Sequence, residues 1–162
     1  LRATDPVAAV GPQGDLYLNT LGFNDTTANQ TAIVLSRSLD GGANWLPPVV
    51  VTESFTAAAF LDKNWLAVND APGARNAGRL AVTWSLFTSS AIYLQSSVSD
   101  DRGATWTTPA NITPVTSINQ SSQPVYFPDG SLFVPYVTFL TPATNVLAFR
   151  IDAKVSIDGG RT

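Results

Sequence analysis

The sequence predicts an all-β repeat protein, and three observations carry the prediction. One eight-residue pattern occurs three times at near-even spacing. Each copy is preceded by segments that read as strand, turn, strand. No stretch repeats its apolar residues with the 3.6-residue period of a helix, so almost no helix is expected.

The pattern is S-x-D-x-G-x-x-W. It appears as Ser38-Leu39-Asp40-Gly41-Gly42-Ala43-Asn44-Trp45 and as Ser99-Asp100-Asp101-Arg102-Gly103-Ala104-Thr105-Trp106. A third copy, Ser156-Ile157-Asp158-Gly159-Gly160-Arg161-Thr162, stops before its Trp. The copies begin 61 and 57 residues apart. Turn chemistry explains the residue types: an Asp caps backbone N–H groups, a Gly accepts positive φ, a Ser braces the turn and a Trp covers its apolar side. Ser38, Asp40, Gly42 and Trp45 are therefore expected to be structural rather than catalytic. The same holds for Ser99, Asp101, Gly103 and Trp106, and for Ser156, Asp158 and Gly160.

The rest of each repeat reads as strands. Residues 6–10 and 15–18 flank the turn Gly11-Pro12-Gln13-Gly14, and residues 123–127 and 131–134 flank Pro128-Asp129-Gly130. In the second repeat residues 65–69 and 79–84 flank a longer turn. A third strand precedes each box, at 31–36, 92–97 and 146–155, and a short fourth follows the first two boxes, at 49–52 and 110–113. Each unit thus has up to four antiparallel strands.

On these boxes the sequence resembles the Asp-box (BNR) repeat family, found in sialidases, sortilin-type receptors and some glucanases. Asp62-Lys63-Asn64-Trp65-Leu66-Ala67-Val68-Asn69 also resembles the D-K-x-W/F-Φ-A-V-D/N segment at the innermost strand of bacterial and archaeal Asp-box proteins. The resemblance covers essentially the whole chain. It implies a sialidase-like β-propeller of four-stranded antiparallel blades, with each box joining the third and fourth strands. Here there would be two complete blades, about 5–55 and 62–115, and most of a third, about 121–162. Because an open stack leaves apolar faces bare, either further blades or further copies are expected to cover them. The third box, short of its Trp, favours part of a longer protein.

Composition narrows the partners. The 162 residues are 44% hydrophobic and 13% charged, with net charge −3 and no basic run. Nucleic acid and anionic membrane surfaces are disfavoured, because both bind through clustered cations. No apolar run approaches the roughly 20 residues of a membrane helix. There is no Cys and no His, which removes thiol chemistry, zinc–thiolate sites and the commonest general base. No cofactor and no metal are expected; an oxygen-ligand Ca²⁺ site at Asp100 and Asp101, or at Asp25, lacks EF-type spacing. Four Asn-x-Ser/Thr sequons, at Asn24, Asn29, Asn111 and Asn119, read as chance in so Asn-, Ser- and Thr-rich a chain.

Loops joining strands 2–3 and successive blades would share the propeller face opposite the boxes, where sialidase-like propellers carry their sites. The candidates there are Asn24, Asp25, Glu53, Asp62, Lys63, Asn119, Gln120 and Gln123. Asp25, Glu53, Asp62, Lys63 and Gln123 are the expected binding residues, and Asp62 is the single catalytic candidate. Asp25, Glu53 and Asp62 are read as the carboxylates of this face. Sialidases also need three converging Arg, yet Arg37, Arg102 and Arg161 lie in or beside boxes and Arg75 and Arg79 flank a loop on the box face; only Arg2 and Arg150 could reach the other. Trp65 and Trp84 are expected between blades.

Three functions follow. The first is a secreted or cell-surface propeller module that binds glycan or protein without a complete active site of its own. The second is a sialidase-like glycoside hydrolase with catalytic residues mostly outside these residues. The third is a self-assembling extracellular protein whose open blade edges pair between subunits.

Overall fold

The computed structural model describes residues 2–24, 30–56, 58–140 and 148–162. Every regular element among them is a strand. The first sheet runs β1 (Arg2–Val10), β2 (Leu16–Asn24), β3 (Gln30–Ser38), β4 (Val49–Ser54), antiparallel and in chain order. The second repeats that order with β5 (Phe60–Val68), β6 (Leu80–Phe87), β7 (Ile92–Ser99) and β8 (Ala110–Asn111). The third holds β9 (Asn119–Gln120) and β10 (Val125–Tyr126), both paired to β11 (Leu132–Leu140), and then β12 (Ala148–Ser156). The sequence reading expected one inner strand at 123–127; here it is split, and its first piece starts earlier.

The sheets stack face to face as three blades. Each has a front face turned to the blade before it and a rear face turned to the blade after it, because successive strand residues point to opposite sides. Between blades 1 and 2, the rear residues Tyr17, Leu21, Ile33 and Leu35 pack against the front residues Leu80, Val82 and Trp84. Between blades 2 and 3, Ala81 and Val98 pack against Leu132 and Val134. Strand β6 is therefore buried on both faces from Leu80 to Ser85, whereas β2 and β11 alternate.

The three boxes make the same turn. Ser38 Oγ donates to Asp40 Oδ1 at 2.8 Å and accepts from Gly42 N at 2.9 Å, while Asp40 Oδ1 accepts from Asn44 N at 2.9 Å. Ser99, Asp101, Gly103 and Thr105 repeat these bonds, as do Ser156, Asp158, Gly160 and Thr162. The Asn44 side-chain amide, its backbone N–H and the Ser38 hydroxyl hold Asp40 down to about 2, and the hydroxyls of Ser156 and Thr162 likewise depress Asp158. At Asp101 burial works upward, but bonds from Thr105 and Ser99 outweigh it and bring the group to about 2.

Arginines tie the box end of one blade to the next. Arg102, in box 2, grips the buried carboxylate of Asp15 in blade 1 through two nitrogens, Nε at 2.7 Å. Arg79, buried in blade 2, donates to Asp158 O of box 3 at 2.6 Å and to Asp100 Oδ1 at 2.6 Å, and Arg161 also contacts Asp100.

Candidate functional site

Each inner strand carries a bulge at the same place. In β1 the register slips between Thr4 and Val7, so Asp5 and Pro6 oppose a single residue of β2. In β5 it slips between Asp62 and Trp65, leaving Lys63 and Asn64 opposite one residue of β6. In the third blade Gln120 pairs Val137 while Gln123 N donates to Pro135 O, so Ser121 and Ser122 form the same bulge. The first bulge residue has positive φ each time: Asp5 (49°), Lys63 (54°) and Ser121 (58°), each 58 residues after the last. Such bulges re-aim side chains. The bulges and the residue after each line one cavity of about 240 Å³ with nine residues, three from each blade: Asp5, Pro6 and Val7; Lys63, Asn64 and Trp65; Ser121, Ser122 and Gln123.

The second bulge residue anchors its blade to the one before. Asn64, fully buried, donates to Asn19 of β2 and to Asp5 O at 3.2 Å, and Ser122 donates to Thr83 Oγ1 of β6 at 2.9 Å. Positions 19, 83 and 135 are equivalent by register.

The third bulge residue faces the cavity. Trp65 is 38% exposed there, not enclosed between blades as the sequence reading had it; Trp84, on the front of blade 2, is enclosed. Trp65 pairs Thr83 at the point of β5 where the cavity opens, so its ring borders the cavity rather than lying enclosed.

Beside the cavity mouth, Asp62 precedes Lys63, whose N–H donates to Asp62 Oδ1 at 2.9 Å. Burial raises the Asp62 carboxyl above the usual range; Lys63 works against this, and the charge and hydrogen-bonding side chain of Asp5 reinforce it. Asp5 Oδ2 is buried and has no hydrogen-bond partner. Asp5 of blade 1 thus acts on Asp62 of blade 2 and helps to hold its carboxyl up. The sequence reading counted Asp25, Glu53 and Asp62 as the carboxylates of this end and missed Asp5; its signal was the 58-residue offset to Lys63.

Of the expected binding residues, Lys63 and Gln123 line the cavity and Asp62 adjoins it. Glu53 is exposed on the outer strand β4 and is not among the lining residues. Asp25 and Asn29 lie outside the described residues. Gln120 is on β9, and Asn119 is buried and donates to Thr138 Oγ1 at 2.8 Å, which withdraws its amide from solvent. Asn24 is near the end of β2, donating to Gln30 at 3.4 Å. Among the described residues no group of three or more acidic, His or Cys side chains could hold a metal ion, and Asp100 is taken by arginines. No helix among them is long and apolar enough to cross a membrane.

Solved structures share this fold. The α-L-arabinanase of Penicillium chrysogenum, complexed with arabinobiose, superposes with a TM-score of 0.70 at 18% identity, over 94% of this chain and 46% of that one. The fold is that of a β-propeller. The GH93 α-L-arabinofuranosidase of Fusarium graminearum with arabinobiose gives 0.66 at 14% identity, covering 94% and 46%. The GH43 endo-arabinanase of Bacillus licheniformis gives 0.58 at 13%, covering 96% and 52%. The chain therefore spans about half the length of these propellers. No family model and no curated protein matches it.

Proposed function

We propose that the axial cavity binds glycan and that the Asp5–Asp62 pair is its acid. The observation behind this reading is an exposed indole, Trp65, lining one cavity with Asp5, Lys63 and Gln123, with Asp62 beside its mouth. A sugar offers a C–H face to the Trp65 ring and hydroxyls to Asp5, Lys63 and Gln123. Burial raises the proton affinity of the Asp62 carboxyl, the direction that suits a general acid. Glycosidases work with two carboxyls about 5 Å or more apart across the scissile bond, so Asp5 and Asp62 are read here as one acid–base unit. Hydrolysis would need a second carboxylate from another blade, and these residues alone make a binding site without a complete active site.

Arabinobiose, bound by two of the similar structures, is the first ligand to test. A sialidase reading has less support. No Arg lines the cavity, and Arg79, Arg102 and Arg161 are engaged at the box end. An acidic sugar would meet two carboxyls and one Lys. On this reading the protein meets its glycan outside the cell or at its surface.

Titration with arabinobiose and other neutral oligosaccharides, followed by Trp fluorescence, tests the site. A saturable change is expected, weakened at least about tenfold, or about 1.4 kcal/mol, in Trp65→Ala and untouched in Trp45→Ala. No saturable change with any neutral oligosaccharide at millimolar concentration would sink the reading.

A further inference from the structure

The two outer faces of the stack are built like the faces buried inside it. Ile151 on the rear of blade 3 matches Ile33 and Leu94, since all three stand five residues before the box Ser. Ile33 and Leu94 are 0% exposed and Ile151 is 65% exposed. Around Ile151 the rear face carries Val125, Phe133, Val137, Phe149 and Val155, with Gln120 and Gln123 at its inner edge. At the other end, the front face of blade 1 presents Leu16 and Leu18, only partly buried, where blade 2 has Leu80 and Val82 and blade 3 has Leu132 and Val134, all buried. The chain shows twice what covers such a rear face: the front face of the next blade.

Two matched positions point to blade 1 as the cover for blade 3. The first is the anchor beside the axis, where Asn64 meets Asn19 and Ser122 meets Thr83, polar on polar both times. The equivalent rear position of blade 3 is Pro135, and the equivalent front residue of blade 1 is Pro6. A Pro has no N–H and no polar side chain, so Asn64 or Ser122 would lose its bond on Pro135, whereas Pro6 loses nothing. The Pro135 surface is open, part of a hollow of about 280 Å³ with Ser121, Gln123 and Ile151. The second is the box latch, where Asp15 takes Arg102 and Arg79 takes the carbonyls of Asp158 and Gly159. Their equivalent in blade 3 is Ser131, and the box residue of blade 1 at the place of Arg102 and Gly159 is Gly41. Neutral meets neutral, and no charge is stranded.

We propose that the rear face of blade 3 receives the front face of blade 1 from a second copy, so that two chains close one six-blade ring. The two-fold axis makes each outer face meet its complement, and the ring leaves no blade face open. Two copies also supply about the length of the propellers this chain resembles, each of which it spans by about half. Closure would surround the axis with six bulges and set a second Asp5–Asp62 pair across from the first. The proposal does not depend on glycan binding.

Light scattering on the 162-residue chain across micromolar concentrations tests it. The expected mass is twice 17.1 kDa. Ile151→Glu, on the open rear face, and Leu18→Glu, on the open front face, should each give monomers that keep the strand signal in circular dichroism. Mixing the two variants restores one intact front-to-rear contact, so a dimer should reappear at high concentration. A 17.1 kDa monomer throughout overturns the proposal and leaves these faces to blades from another segment. Masses that grow without limit overturn ring closure. A Leu18→Glu variant that stays fully dimeric overturns front-to-rear pairing.

Discussion

Blade 2 and its two flanking blades share one design and differ in how many faces are covered. In blade 2 both faces are buried, and six consecutive residues of β6 are enclosed. In blades 1 and 3 one face each is covered, and their central strands alternate. The boxes repeat the contrast. Trp106 packs against the core behind blade 1, whereas Trp45, with no described blade in front of it, is 50% exposed. The turn itself is identical in both, so the Ser–Asp–Gly bonds form the hairpin locally and the Trp serves the interface. Blade geometry is thus a property of one repeat, and blade stability a property of its neighbours.

The largest effect should separate equivalent positions. Leu94→Ala and Ile33→Ala each open a cavity between blades and are expected to cost about 2–5 kcal/mol. Ile151→Ala, measured at dilution, should cost under about 0.5 kcal/mol, as surface changes do. Urea denaturation of the three variants decides it, and equal losses would mean that Ile151 is not at an open face in solution.

A smaller difference is expected at the glycines. Gly42 and Gly103 both hold positive φ, at 97° and 78°, so either Ala variant strains the turn by about 1–2 kcal/mol. A Cβ on Gly103 would also come within 2.3 Å of Leu35 Cδ2 in the preceding blade, while one on Gly42 would meet only Leu16 of its own blade, at 3.1 Å. Overpacking adds about 1–3 kcal/mol at Gly103 alone. Thermal melts of the two Ala variants would show the gap. Equal shifts would place the whole cost in the turn.

Local chemistry was legible and interface chemistry was not. The boxes could be read because Ser, Asp and Gly each act within five residues of one another. The axial bulges could not, because their positive-φ residues are Asp5, Lys63 and Ser121, none of them Gly. Pro6 compounded this. A Pro reads as the start of a strand, yet β1 begins at Arg2 and the bulge removes Pro6 from the ladder, where its missing N–H costs nothing. That reading left Asp5 outside the strand and out of the candidate set. Trp65 was misplaced because alternation along a strand does not show which of its residues border a cavity between blades.

The interblade latches give the last contrast, between Arg102 on Asp15 and the neutral box 1, where Gly41 stands in place of the Arg. The guanidinium of Arg102 holds the Asp15 carboxyl below its usual range; burial works the other way, and a hydrogen bond from Tyr17 helps the Arg. The folded value being depressed, this stabilisation is complete above the unfolded value of about 3.9 and is lost as pH falls through the folded one. Arg102→Ala leaves a buried carboxylate without its cation. Removing one partner of a buried pair is strongly destabilising, and the 44% exposure of the Arg end, where solvent screens it, moderates the loss expected at pH 7. The difference from wild type should shrink below about pH 4, where Asp15 can take up a proton in the variant and then in the wild type. Chemical denaturation at pH 7 and pH 3 measures both. A deficit that is the same at the two pH values would mean that Arg102 acts by packing its stem on blade 1 and not by its charge.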